Sequence, residues 1–249
     1  TAGAWASGGS LNTKHNGASA SGTQTAALVS GGNDGLAPNY STVNSEEYNG
    51  TAWTEGNNRS VSVYNTMGSG SQTAGLAFGG NKYTAGISNA TEEYDGTSWT
   101  AGNNINTATD AGIGFGLQTA SVKAGGYAPP GASTNSSEEY DGSSWTAGNN
   151  INTARSEQPG GFGILTAGVM FGGGGSGTPG TVATTVEEYN GTNWSTTASL
   201  STGRSFANGL GTPSTASAAL VSAGEPSRVV TEEFTGETTT LNVKTLTSS

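Results

Sequence analysis

The chain has 249 residues, carries 18 Asp plus Glu against eight Lys plus Arg for a net charge of −10, and is only 10% charged and 32% apolar. The lack of a basic cluster disfavours nucleic acid and an anionic membrane surface as partners. The absence of Cys excludes disulfides and thiolate metal sites, and no apolar run is long enough to span a membrane. Low apolar content with low charge density, and aromatics at fixed spacing, reads as a repetitive β-structure rather than disorder.

A Glu-Glu-Tyr/Phe motif begins at Glu46, Glu92, Glu138, Glu187 and Glu232, with successive starts 46, 46, 49 and 45 residues apart. This divides residues 1–249 into one repeat domain with approximate units 9–56, 57–102, 103–148, 149–197 and 198–249. Each unit is expected to hold four strands. The first is expected in the segments 11–15, 59–63, 105–109, 151–155 and 200–204, most of which carry an Asn-Thr or Ser-Thr pair. Small residues and Gly follow, and Gly within a strand implies another backbone close by.

The second strand is the most apolar, at 26–30, 74–78, 120–124, 167–171 and 218–222, and four copies run into Gly-Gly at Gly31, Gly79, Gly125 and Gly172. A short apolar run flanked by Gly reads as a strand buried on both faces. The third strand carries Glu-Glu-Tyr and the fourth carries Trp53, Trp99, Trp145 or Trp194. Between them lie Asn49-Gly50, Asp95-Gly96, Asp141-Gly142 and Asn190-Gly191. Such pairs predict a tight antiparallel hairpin in which both turn residues take positive φ.

Units of this size cannot bury both faces alone, and packing round an axis buries them. The expected fold is all-β: a five-bladed β-propeller of four-stranded antiparallel blades, closed by pairing of N- and C-terminal segments. The fifth unit has Phe234 and no Trp after it, while Trp5 stands alone near the start. Residues 1–8 are therefore expected to supply the missing strand. The rival is 238–246, where Leu241, Val243 and Thr245 alternate with Asn242 and Lys244.

An apolar strand ending in Gly-Gly, then a spaced Tyr, then Trp a few residues on resembles the kelch-type β-propeller. The acidic residues before Tyr depart from the usual kelch pattern. The form Glu-Glu-Tyr-Asn/Asp-Gly-Thr-Ser-Trp-Thr is similar to kelch-like repeats of bacteriophage virion proteins. That resemblance implies a tail fibre or capsid-decorating protein, located on a virion or extracellular surface within a larger assembly. Its partners would be other virion or surface proteins or a host glycan.

Catalytic groups are scarce. One His and no Cys exclude the copper-oxidase chemistry known on kelch propellers. Paired Glu could suggest glycoside hydrolysis, but a pair recurring in every unit, with its members on opposite faces of a strand, points to structure. Each is expected to accept N–H or hydroxyl bonds from a neighbouring blade. Tyr48, Tyr94, Tyr140, Tyr189, Phe234 and the five Trp, Trp5 included, are expected to pack blade on blade. No cofactor, metal site or catalytic residue is expected.

Two places remain for binding. His15, Arg155 and Arg204 share one repeat position, with Val63 and Thr109 in the other units, and form an incomplete cationic set expected at a channel mouth. The loops from Gly-Gly to Glu-Glu vary between 7 and 13 residues and carry Tyr40, Tyr83 with Lys82, and Tyr127. Exposed aromatics there suit sugar stacking or protein contact. The leading expectation is a non-enzymatic structural or receptor-binding module using these loops. The alternatives are an extracellular glycan-active enzyme working at the channel mouth and an intracellular kelch adaptor.

Overall fold

A computed structural model describes residues 7–36, 40–175, 182–206, 208–211, 218–222, 224–226 and 231–235. These residues are all-β and contain no helix. The first sheet consists of β1 (Ser19–Thr23), β2 (Ala26–Ser30), β3 (Ser45–Tyr48) and β4 (Trp53–Glu55). The second holds β5 (Met67–Gly70), β6 (Gly75–Phe78), β9 (Thr91–Tyr94) and β10 (Trp99–Gly102), with a small hairpin of β7 (Asn81–Lys82) and β8 (Gly86–Ile87) between. The third holds β11 (Ile113–Leu117), β12 (Ala120–Ala124), β15 (Ser137–Tyr140) and β16 (Trp145–Ala147), with the hairpin of β13 (Tyr127–Ala128) and β14 (Ala132–Ser133). The fourth holds β18 (Gly160–Ile164), β19 (Ala167–Phe171), β21 (Val186–Tyr189) and β22 (Trp194–Thr197), and the pair β17 (Arg155–Ser156) and β20 (Gly174–Gly175) flanks it. The fifth has three described strands, β23 (Asn208–Gly211), β24 (Ala218–Ser222) and β25 (Thr231–Thr235). Within each larger sheet every pairing is antiparallel and joins strands that are consecutive in that sheet, as an up-and-down meander requires. Trp5 and residues 238–246, the two expected closing elements, lie outside the described residues.

The second strands fall where expected, and β6 is buried at every position. The first strands do not. The Asn-Thr segments are loops, and the strand lies in the Gly-rich stretch that follows. The physical reason is a competing acceptor: the Asn-Thr amides bind a carboxylate instead of a ladder carbonyl, as shown below. Glycine places these strands close together. A Cβ on Gly114 of β11 would come within 2.7 Å of the Gly68 carbonyl oxygen in β5 and 2.5 Å of the Phe78 ring. The first strands of successive sheets accordingly lie side by side, β1 on β5, β5 on β11, β11 on β18 and β18 on β23.

The hairpins between third and fourth strands also differ in mechanism from expectation. Tyr140 pairs with Trp145, leaving a four-residue loop. Only its glycine is left-handed, with Gly142 at φ 91°. Asp141 instead uses its side chain, whose Oδ1 accepts from the Ser143 and Ser144 amides at 2.8 and 2.7 Å. These bonds hold the Asp141 carboxyl down at about 2. Asn49, Asp95 and Asn190 make the same two bonds in their own loops. Asn and Asp are therefore interchangeable at this position.

The core is divided into layers between neighbouring sheets. Met67, Leu76, Phe78 and Ile105 meet Tyr140 and Trp145 in one layer. Ile113, Phe115, Val122 and Ile151 meet Met170, Tyr189 and Trp194 in the next, and Phe162, Val169, Phe171 and Val186 meet Val221 in a third. Backbone bonds join the sheets near their first strands. Thr66 N donates to Gly17 O at 3.1 Å, Ala111 N to Asn65 O at 2.9 Å, Gln158 N to Ala111 O at 2.9 Å and Phe206 N to Glu157 O at 3.1 Å. Each junction uses a left-handed residue, and only Gly17 is glycine; Asn65, Ala111, Glu157, Gln158 and Phe206 accept the strain.

Candidate functional site

The paired glutamates face opposite ways and do different work. The first of each pair is a hub for the loop that enters its own sheet, buried at Glu46, Glu92, Glu138 and Glu187 and partly exposed at Glu232. Glu187 accepts from Asn152 N at 2.6 Å, Asn152 Nδ2 at 2.9 Å and Thr153 N at 3.3 Å, and pairs with the Arg155 guanidinium. Asn152 Nδ2 also reaches Trp194 O at 3.2 Å, tying the entering loop to the fourth strand. Glu138 repeats the scheme with Asn106 and Thr107, and Glu46 with Asn12 and Thr13. Serine replaces Asn in two units, where Ser60 N donates to Glu92 at 2.7 Å and Ser201 N to Glu232 at 2.7 Å.

Each hub receives one basic side chain, and these come from three different repeat positions. His15, Arg155 and Arg204 share a position and reach Glu46, Glu187 and Glu232. Arg59, four residues before Val63, puts Nε 2.8 Å from Glu92. Lys123, on β12, puts Nζ 3.5 Å from Glu138 and donates to Ser136 Oγ at 2.9 Å. All five basic side chains have no exposed area. Burial pushes Arg59, Lys123 and Arg155 down, and the facing carboxylates oppose that fall. Burial likewise pushes Glu46 up, but the Asn12 and Thr13 bonds and the His15 charge outweigh it and leave the carboxyl below its usual value.

His15, Arg155 and Arg204 therefore each face a different glutamate, with side chains that have no exposed area. The Arg59 guanidinium lies 5.6 Å over the Trp99 ring, within cation–π range, and its Nη1 and Nη2 have no hydrogen-bond partner among the described residues.

The second glutamate of the first three pairs joins sheets. The Tyr94 hydroxyl donates to Glu47, Tyr140 to Glu93 and Tyr189 to Glu139, each from one sheet to the one before. These tyrosines are buried, and burial together with the carboxylate bond raises each phenol well above its ordinary value. Each also lies against the tryptophan of its own hairpin, with ring centroids 4.9 Å apart for Tyr94 and Trp99, 5.0 Å for Tyr140 and Trp145 and 4.8 Å for Tyr189 and Trp194. Tyr48 and Trp53 form the equivalent pair at 5.0 Å. Trp145 Nε1 donates to Thr91 Oγ1 at 3.0 Å and Trp99 Nε1 to Ser45 Oγ at 3.3 Å, both across a sheet boundary. In the next boundary the matching atoms, Trp194 Nε1 and Ser137 Oγ, are both buried without a partner. The Trp5 position and the Phe234 side chain lie outside the described residues.

A Gly-x-Gln-Thr-Ala stretch, at Gln24, Gln72 and Gln118, is a further joining device that the sequence reading did not single out. Gln72 Nε2 donates to Ala27 O and Tyr48 O of the first sheet at 3.1 and 2.7 Å, and Gln118 Nε2 to Gly75 O and Tyr94 O of the second at 2.9 and 2.8 Å. Three copies at the repeat period were the available signal. Asn57, Asn103 and Asn149 add outer tethers to the next hairpin, at Thr97 O, Ser143 O and Thr192 O.

A cavity of about 510 Å3 lies along β1, β5, β11 and β18, walled by Ala, Ser, Gly, Thr and Pro with Met67, Ile113 and Gln158. No ionisable side chain lines it among the described residues. No group of three or more His, Cys, Asp or Glu converges among the described residues either. The variable loops differ. Tyr40 and Tyr83, from loops of consecutive units, meet with ring centroids 4.9 Å apart at an interplanar angle of 50°. Tyr83 is 52% exposed and Tyr127 41%. Lys82 and Tyr83 line a cavity of about 270 Å3 with Ser41, Ser60, Val61, Ser62, Thr84 and Ala85. No family model matches the chain, and no curated protein matches it.

Proposed function

We propose that the chain is a five-bladed β-propeller closed by its N-terminal strand. It acts without catalysis as a binding module on a virion or extracellular surface, of the kind its kelch-like phage resemblance implies. The reading rests on one contrast. The repeated acids, cations and aromatics are consumed in holding sheets together, whereas the loops that break the repeat bring Tyr40 and Tyr83 together beside an open cavity.

Ring closure has its own support. Trp145 packs on Phe78 with centroids 4.7 Å apart, and Trp194 on Phe115 at 6.2 Å. Phe171 and Phe162 occupy the corresponding positions one sheet further on. They line a cavity of about 220 Å3 together with Val186, Leu200, Glu232 and Glu233. An indole suits this lining, and Trp5 is the tryptophan that no described hairpin carries. In this arrangement residues 1–8 form the fourth strand of the fifth sheet, beside β25.

The test of function is replacement of Tyr40, Tyr83 and Tyr127 together by Ala. Loss of adsorption to the target surface, or of incorporation into particles, with an unchanged far-UV spectrum supports a loop-face contact. Unchanged adsorption and incorporation would refute it. Mass spectrometry of purified particles tests the virion location directly.

A further inference from the structure

We infer that the cavity beside the Tyr40–Tyr83 pair is a saccharide site that takes one sugar ring bearing a carboxylate. The inference rests on the loop-face reading above and specifies its ligand. Three features carry it.

The first is the wall. Tyr83 projects from the β7–β8 hairpin with about half its surface open, and Tyr40 packs against it from the preceding unit. Tyr40 is held at φ 53°, a left-handed conformation that a bulky residue adopts only under constraint. Its amide donates to Leu36 O at 3.0 Å. A tyrosine braced in this way offers a rigid flat face at little entropic cost, the property that suits the apolar C–H face of a pyranose.

The second is the rest of the lining. Ser41, Ser60, Ser62 and Thr84 supply hydroxyls, and Val61 and Ala85 are the apolar members. Ser41 Oγ and Ser62 Oγ already bond each other at 2.8 Å across the two units, and so stand pre-oriented. A hydroxyl can donate once and accept twice, so this pair keeps acceptor capacity for ring hydroxyls. At about 270 Å3 the cavity sits just below the usual range for small-molecule pockets, roughly 300–1,000 Å3. That size fits one ring and not a folded oligomer.

The third is charge. Arg59, Lys123, Arg155 and Arg204 are committed to buried pairs. Lys82 makes no ion pair among the described residues, and it lies on this cavity. An uncommitted ammonium beside an aromatic wall pairs directly with one carboxylate and so selects a carboxylated sugar over a neutral one, against the weaker, screened field of a chain of net charge −10. A phosphate-rich polyanion such as nucleic acid would meet one cation and a repulsive field.

The probes are methyl β-D-glucuronide and methyl β-D-glucoside, titrated into the whole chain by ligand-observed and protein-observed NMR. The glucuronide binds several-fold more tightly than the glucoside. Tyr83→Ala weakens both by about tenfold or more, whereas Tyr83→Phe retains both and controls for folding. Lys82→Gln leaves glucoside binding in place and abolishes the preference for glucuronide. Binding of neither glycoside by the wild-type chain overturns the inference, as does binding indifferent to Tyr83→Ala, or a preference that survives Lys82→Gln. Loss of surface adsorption by the triple-tyrosine variant, with no glycoside binding, leaves the loop-face reading standing and removes the sugar.

Discussion

Tyr189 of the fourth sheet donates its hydroxyl to Glu139 of the third, so a phenol on one sheet is registered by a carboxylate on another. The bond repeats from Tyr140 to Glu93 and from Tyr94 to Glu47. Removing the hydroxyl with Tyr189→Phe leaves the aromatic packing and takes away one charge-assisted bond. The expected loss is about 1–2 kcal/mol, read as a lower urea midpoint with unchanged slope. An unchanged midpoint would show that water replaces the hydroxyl at no net cost.

Arg59 and Glu92 form a pair buried on both sides. Arg59→Ala strands a carboxylate and is expected to cost about 3–5 kcal/mol. Position 63 is the place from which Arg155 and Arg204 serve their own sheets. Adding Val63→Arg to the Arg59→Ala chain should therefore restore a substantial part of the loss. Failure of the double variant to exceed the single one in thermal midpoint would mean that the two positions are not equivalent.

The tryptophan N–H groups allow an internal comparison. Thr91→Val removes the acceptor of Trp145 Nε1 and should cost about 1 kcal/mol. Ser137→Ala removes a hydroxyl already buried without a partner, and should be neutral or slightly stabilising. Equal effects from the two substitutions would contradict the bonding difference between these boundaries.

Closure is tested at the two ends. If Trp5 fills the cavity lined by Phe162 and Phe171, Trp5→Ala should cost about 3–5 kcal/mol. Deletion of residues 238–249 should then cost little. The reverse outcome would assign the fourth strand of the fifth sheet to the tail.

Stability should fall at both pH extremes for identifiable reasons. Tyr94, Tyr140 and Tyr189 are raised above the free-phenol value of 10.0 by burial first, then by bonds to Glu47, Glu93 and Glu139. Above pH 10 the unfolded chain loses protons that the folded chain keeps. This contribution is complete below the unfolded value and disappears as pH rises through the folded ones. At the acid end, burial pushes Glu46 and Glu232 up, but amide bonds and their cations carry both below 4.5. Their contribution is present above 4.5 and is lost as pH falls through the folded values. Thermal midpoints against pH should show both limbs. A triple Tyr→Phe variant at 94, 140 and 189 should flatten the alkaline one, and an equally steep limb in that variant would exclude the tyrosines as its source.

The repeat, the second strands and the outer hairpins were legible because each has a local cause: a short apolar run, or an Asx-Gly pair between a Tyr and a Trp. The first strands were misplaced because 105–109 and its counterparts show apolar and β-branched residues without showing where their amides go. Those amides bind Glu138 and its counterparts, more than 30 residues later in the chain. The cation supply was equally hidden. Read by position, His15, Arg155 and Arg204 form an incomplete ring, and Arg59 and Lys123 look unrelated to it. Only the fold brings Nε of Arg59 and Nζ of Lys123 to the same kind of carboxylate.

The five basic side chains carry a consequence for how such repeats diverge. What each unit keeps is a basic group delivered to a point in space, and the backbone offers at least three routes to that point. A route can be abandoned once another is in place, as Val63 and Thr109 illustrate, without the glutamate ever being left alone. Column-by-column comparison of the units therefore records decay where the geometry records substitution. Units exchanged between such chains should tolerate one another best when donor and recipient agree in the charge they deliver, whichever residue delivers it.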